Sequence, residues 1–117
     1  FETALTLEPN NPKIRHNLAR ALNVQAVLME ENRDYDTAID YWQRIAKLKE
    51  ITEREKVQFR IEALQDKIFE QVQRSDRIED YESFLERYPD SPGNAEMARR
   101  RIQELKEIAQ ETRTLPD

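Results

Sequence analysis

Cysteine is missing altogether from this chain. With it go a disulfide framework, a thiolate nucleophile and any cysteine-ligated zinc site. That absence leaves the compartment open, since a cysteine-free helical protein suits the cytosol and the periplasm equally. Glycine occurs once, at Gly93, where ordinary usage is about 7%. No apolar run approaches the roughly 20 residues that span a bilayer, and no signal-peptide pattern is visible. The chain opens at Phe1 without a Met and inside a helical pattern. The expectation is therefore a piece of a longer protein, with any targeting segment missing from it.

What the chain has in abundance is charge, at 37% of its 117 residues against an ordinary share of about 25%. Opposite signs are interspersed, the net charge is only −5, and bulky apolar residues recur at regular spacing. That combination excludes disorder. With so little glycine it favours long solvated helices over sheets, in one domain or a short stack of repeating units.

Helical punctuation is legible along the chain. Phe1, Ala4 and Leu5 share a helical face that Pro9 ends. Asn11 is a good N-cap with Pro12 at the first helical position, where a missing N–H costs nothing. Ile14, Leu18, Ala21, Leu22, Gln25 and Met29 then form a stripe running to about Glu31. Asn32-Arg33-Asp34 breaks it, and a second helix follows with Tyr35, Ala38, Ile39, Trp42, Ile45 and Leu48 in register. Thr52 with Glu55 has capping-box spacing ahead of a long helix carrying Val57, Ile61, Leu64, Ile68 and Val72. Ser75-Asp76 stops that helix, and Asp76 with Glu79 is placed to cap the next, which carries Ile78, Tyr81, Phe84, Leu85 and Tyr88. Pro89 to Gly93 is a turn. The last helix shows Ala95, Ala98, Ile102, Leu105 and Ala109 and fades at Thr112.

This order resembles the tetratricopeptide repeat family. Phe1, Ala4 and Pro9 match the end of one repeat, with its aromatic, small residue and closing proline. Asn17-Leu18-Ala19 and Leu22 match a first helix, and the run from Asp34 to Trp42 matches the turn and second helix, with Ala38 at the helix crossing. Tyr81 to Pro92 is similar to repeat ends of bacterial envelope-assembly proteins. Departures accompany the likeness. Between Leu22 and Asp34 the chain carries about seven residues more than a unit of roughly 34 allows. Seven residues make about two helical turns, so the first helix reads as elongated. The helix after it, from Glu53 to Arg74, is long enough to lie alongside. Arg33 stands where the family has Gly, and Arg77 where a small crossing residue is expected.

The resemblance implies an all-α fold: antiparallel helix hairpins stacked as a short right-handed solenoid of about six helices, the first one truncated. One domain over residues 1–117 is expected. Residues 1–8 would end a truncated repeat and 12–49 would form a repeat with an elongated first helix. A degenerate repeat over 52–89, a closing helix over 92–112 and a tail over 113–117 complete the division.

Catalysis finds little support. His16 is the sole histidine and reads as a surface residue between Arg15 and Asn17. Ser75, Ser83 and Ser91 lack a second histidine to activate them. Glu50, Glu53 and Glu55 read as a solvated helix start. No Gly-rich phosphate loop, HExxH or EF-hand pattern occurs. The expectation is no enzyme, no cofactor and no metal. Arg99-Arg100-Arg101 is a basic run, but consecutive residues fan out around a helix instead of sharing a face, and the net charge has the wrong sign for nucleic acid.

Stacked repeats leave a concave surface lined by first helices. The resemblance places Lys13, His16, Asn17, Arg20 and Asn23 there. Lys13, Asn17 and Arg20 follow helical spacing, and two cations flanking an amide suit an acidic or carboxylate-ended peptide. In chaperone-binding relatives an Asn in the place of Asn17 contacts a peptide carboxylate. The same residues would also serve simply to keep an open face hydrated. Trp42 reads as packing, Tyr41 as the more exposed aromatic, and Phe59 and Phe69 flank the long helix's stripe. The first expectation is thus a scaffold for a protein or peptide partner. The alternative is a structural or oligomerisation segment of a larger repeat protein with no peptide ligand of its own, in which Phe1 and Leu5, whose partner helix would precede residue 1, pair with a second copy as a homodimer or with upstream repeats.

Overall fold

A computed structural model of the protein describes residues 11–114, with the side chains of Ile51, Arg113 and Thr114 left aside. Five helices occur among the described residues, and no strand: α1 (Pro12–Glu31), α2 (Tyr35–Lys47), α3 (Ile51–Ser75), α4 (Ile78–Arg87) and α5 (Asn94–Thr114). The expected helix at residues 1–8, with Phe1 and Leu5, lies outside them. The chain divides into two compact units, Phe1–Leu64 and Gln65–Asp117, with the boundary inside α3.

In the first unit α1 and α2 form a hairpin. Asn11 caps α1 as expected, its side chain accepting from the N–H groups of Lys13 at 3.0 Å and Ile14 at 3.2 Å. Leu18, Ala19, Leu22 and Ala26 from α1 and Ala38, Ile39, Trp42 and Ile45 from α2 are buried. Ala26 and Ala38 are wholly so, at 0% exposure, and such small residues let helix backbones come close. Gln25, expected in the α1 stripe, is exposed, and its neighbour Ala26 is buried instead. Leu18 and Leu22 keep their expected places, and the buried stripe leans from them toward Ala19 and Ala26.

The hairpin turn holds a non-glycine residue in the left-handed region. Arg33, standing where the repeat has Gly, adopts φ +62°. The left-handed conformation lets the N–H of Asp34 reach the carbonyl of Met29 at 2.8 Å and that of Arg33 reach Glu30 at 3.0 Å, satisfying carbonyls that the end of a helix orphans. Asp34 then caps α2 through Thr37 N–H at 3.4 Å.

Glu30 ties the elongated end of α1 to the two following helices. Its carboxylate accepts from Trp42 Nε1 at 2.7 Å on α2 and from Arg60 Nε and Nη2 on α3, both at 3.1 Å. The Arg60 guanidinium also lies 4.6 Å from the Trp42 ring centroid, in cation–π range. Arg54 closes α2 by donating to the carbonyls of Ala46 and Lys49. α3 starts at Ile51, with the Glu50 carbonyl accepting from Arg54 N–H at 2.9 Å. Thr52 therefore sits inside the helix, and the capping box expected with Glu55 is displaced by a start two residues earlier.

The second unit is organised by aromatics and one carboxylate. Phe69 of α3 lies 6.1 Å from Tyr81 and 5.1 Å from Phe84 of α4, and Phe84 lies 5.4 Å from Tyr88, all tilted, the arrangement that ring quadrupoles favour. α4 and α5 form a hairpin. Asp76 does not cap α4 as expected. That position belongs to Arg77, which makes no side-chain cap bond. Asp76 instead turns α3 off at φ +51°, and its carboxylate is taken by Arg101 at 2.6 and 2.9 Å and by the Tyr81 hydroxyl at 2.8 Å. Arg77, lying outside the helix, has no crossing to crowd. Beyond Leu105, α5 is exposed, including Ile108 and Ala109.

Hydrogen bonds from Arg101, then from Tyr81, hold the Asp76 carboxyl at about 2, below the usual 3.8, against an opposing contribution from burial. A depressed folded-state value makes the ionised network a source of stability above the unfolded value. That stability is lost as the pH falls from near 3.8 through about 2. Asp76→Asn should therefore destabilise the protein at neutral pH, with the gap to the parent closing over that acid window in urea unfolding followed by circular dichroism.

The two left-handed residues should also answer oppositely to glycine. Arg33→Gly relieves strain with no side-chain bond to lose and should stabilise by about 1 kcal/mol. Asp76→Gly gains some relief but removes the acceptor of the Tyr81 hydroxyl and of two Arg101 bonds, and should destabilise. Removing the other carboxylate junction, Glu30→Ala, should cost about 1–3 kcal/mol by leaving Trp42 Nε1 and Arg60 without their acceptor.

Candidate functional site

The side of α1 turned away from its buried stripe is where the anticipated binding residues fall. Lys13, His16, Arg20 and Asn23 are exposed and Asn17 is half-buried. Helical geometry spreads them over two directions, because residues three or four apart share a face and others do not.

Three shallow clefts, all open to solvent, run along this helix. The first, about 330 Å³, is lined by Asn17, Arg20, Ala21 and Val24. The second, about 240 Å³, lies between α1 and the end of α2, lined by Ala19, Arg20, Asn23, Val24, Ile45 and Lys49. The third, about 340 Å³, is bordered by Arg15 and His16 on α1 and by Lys49, Glu50 and Glu53 beyond α2, among others. Arg20 thus joins Asn17 in one cleft and Asn23 in another, while His16 lines the third. Lys13 borders none of the three.

Charge differs among these clefts. In the third, carboxylates of Glu50 and Glu53 accompany the cations, and Glu53 is 3.8 Å from Lys56. The second has two cations, Arg20 and Lys49, one amide, Asn23, and an apolar lining of Ala19, Val24 and Ile45, with no carboxylate. Such a lining suits a ligand carboxylate with an apolar neighbour.

Sequence reasoning missed Lys49, which joins Arg20 only because the hairpin returns α2 beside α1. It missed Val24 and Leu28 as well, which are 59% and 42% exposed. A signal for these two was present, since neither fits the buried stripe of α1. Phe59 is 74% exposed, whereas Phe69 and Trp42 are core residues. Tyr41 is half-buried, with Arg44 5.7 Å from its ring centroid.

The second unit holds a cleft of about 400 Å³ lined by residues that include Phe69, Tyr81, Met97 and Arg100. Its polar wall is occupied internally: Arg101 bonds Asp76 and, at 2.9 Å, Glu104. Of the basic run, Arg99 donates to the Pro89 carbonyl at 3.1 Å and Arg100 lies 4.0 Å from Glu96, so the three arginines do fan apart. Among the described residues no group of three or more His, Asp or Glu side chains converges as a metal site, and no helix is long and apolar enough to cross a membrane.

Compared with known proteins, residues 1–40 match the Tetratricopeptide repeat family. The stretch runs from the segment before Asn11 through the whole of α1 and into α2. Neither a curated protein nor a solved structure matches the chain. The matched stretch and the all-helical fold together fit a tetratricopeptide-like repeat protein.

Proposed function

We propose that the protein is an interaction scaffold that docks a peptide or a helical segment of a partner protein along the open side of α1, through Lys13, His16, Asn17, Arg20 and Asn23. The family match supports a protein-binding role in general. The observation that carries the finer reading is the cleft where Arg20, Asn23 and Lys49 meet an apolar lining without a carboxylate. It selects a partner segment bearing an acidic side chain or a C-terminal carboxylate beside an apolar residue. The clefts are shallow and open, which favours an extended partner over a small molecule.

The same proposal includes the stacking of the α1–α2 and α4–α5 hairpins as a short right-handed solenoid with α1 on its concave side. Two hairpins in chain order are what such a stack is built from. Catalysis has no part in this reading, and neither does a cofactor.

Selection of a peptide-display library on the protein should enrich acidic sequences with an apolar neighbour. The triple change Lys13→Ala, Asn17→Ala and Arg20→Ala should weaken a selected peptide by at least about tenfold, since each charge-assisted bond is worth roughly 1.5–3 kcal/mol. Helicity by circular dichroism should stay unchanged. A selected peptide that binds the triple variant as tightly as the parent would place the docking surface elsewhere.

A further inference from the structure

The cleft of the second unit, about 400 Å³, lies at the small end of ligand sites, which run from about 300 to 1,000 Å³. Its lining includes two buried rings, Phe69 and Tyr81, with centroids 6.1 Å apart. Met97 of α5 lines the same cleft yet stands 47% exposed. A thioether beside two rings is a good surface for a third ring, since sulfur and tilted aromatics both attract one.

Charge selects what accompanies that ring. Both carboxylates of the cleft are already engaged, Asp76 and Glu104 each accepting from Arg101. Arg100 is the cation left over. It lies 4.0 Å from Glu96, at the limit of an ion pair, and both side chains are largely exposed, a pairing worth little in water. Gln73 lines the cleft too, exposed, and its amide makes no hydrogen bond among the described residues. A guanidinium and an amide are donors suited to a carboxylate. A longer acidic run is disfavoured, because Glu96 and Glu104 stand about one turn before and one turn after Arg100 and share its side of the helix.

We propose that this cleft receives the C-terminal residue of a partner protein, an aromatic one, with its ring on Phe69, Tyr81 and Met97 and its terminal carboxylate on Arg100 and Gln73. The cleft has room for one large side chain and donors for one carboxylate, and the last residue of a chain carries both on a single Cα. An internal acidic residue beside an aromatic one divides ring and carboxylate between two side chains and runs the backbone on across the cleft. Capture of a chain end needs only one entry and fixes the direction of the bound segment. The site lies wholly within the second unit. It shares no residue with the open side of α1 and does not rest on the reading of that helix.

The chain has two methionines, so carbon-13 labelling of their methyl groups gives two signals, and Met97→Leu assigns them. A short peptide ending in phenylalanine with a free carboxylate should shift the Met97 signal and saturate it with a dissociation constant of about 0.1–1 mM, as one anchored residue allows. Met29, on α1, should not respond. The same peptide with an amidated end should bind at least about tenfold more weakly, and so should the free-acid peptide to Arg100→Ala, since each lacks the charge-assisted bond. Circular dichroism of Arg100→Ala should match the parent. The triple variant Lys13→Ala, Asn17→Ala and Arg20→Ala should bind this peptide as the parent does, which separates the cleft from the α1 face. A Met97 signal that stays put throughout the range would overturn the proposal. So would equal affinity for acid and amide, or an Arg100→Ala variant that binds as tightly as the parent. Binding of N-acetylphenylalanine with no binding of the peptide would assign the cleft to small aromatic acids instead of a protein end.

Discussion

The carboxylate of Glu30 is the point on which the first unit turns. It accepts from Trp42 Nε1 and takes two bonds from Arg60, so one side chain joins α1, α2 and α3. A group this enclosed has little freedom, and the donors around it would each be costly to strand. Its consequence for function is rotational. Fixing Glu30 toward α2 and α3 fixes the last turns of α1 about their axis, and residues on the far side of the helix are then held in solvent. Val24 and Leu28 are those residues. The elongation of α1 thus does two things: it supplies the carboxylate that binds the unit together, and it extends the open face.

Much of this was legible beforehand because helix signals are local. Asn11 with Pro12, the break at Asn32 to Asp34 and the turn at Pro89 to Gly93 each act within a few residues, and the helices begin and end close to where those signals place them. Arg33 is the most instructive case. A residue that departs from the repeat's glycine still adopts the left-handed conformation the turn demands, because the backbone geometry of the hairpin outweighs the strain of one side chain.

What was not legible depended on partners distant in sequence. Asp76 has the right spacing to cap α4 with Glu79, but Arg101 lies 25 residues on and claims the carboxylate first. Nothing in a local pattern weighs those two fates. Lys49 likewise enters the candidate site only through the hairpin's return. In α1 the periodicity places Gln25 beside the true core positions Leu18, Leu22 and Ala26, because half-buried residues next to the core stripe widen the pattern. That second stripe is where Val24 and Leu28 belong, and Val24 lines the cleft that holds Arg20, Asn23 and Lys49.

At its elongated end α1 has one closed side, with Leu22 and Ala26, and one open side, with Val24 and Leu28. Because the chain has no cysteine, single cysteines can be placed along the helix and their labelling rates measured in dilute solution. Val24→Cys and Leu28→Cys should react at close to the rate of a free thiol, and Leu22→Cys and Ala26→Cys should be protected by about a hundredfold or more, as burial within a unit a few kcal/mol stable requires. Equal rates at all four positions, or protection at Val24 and Leu28, would contradict it.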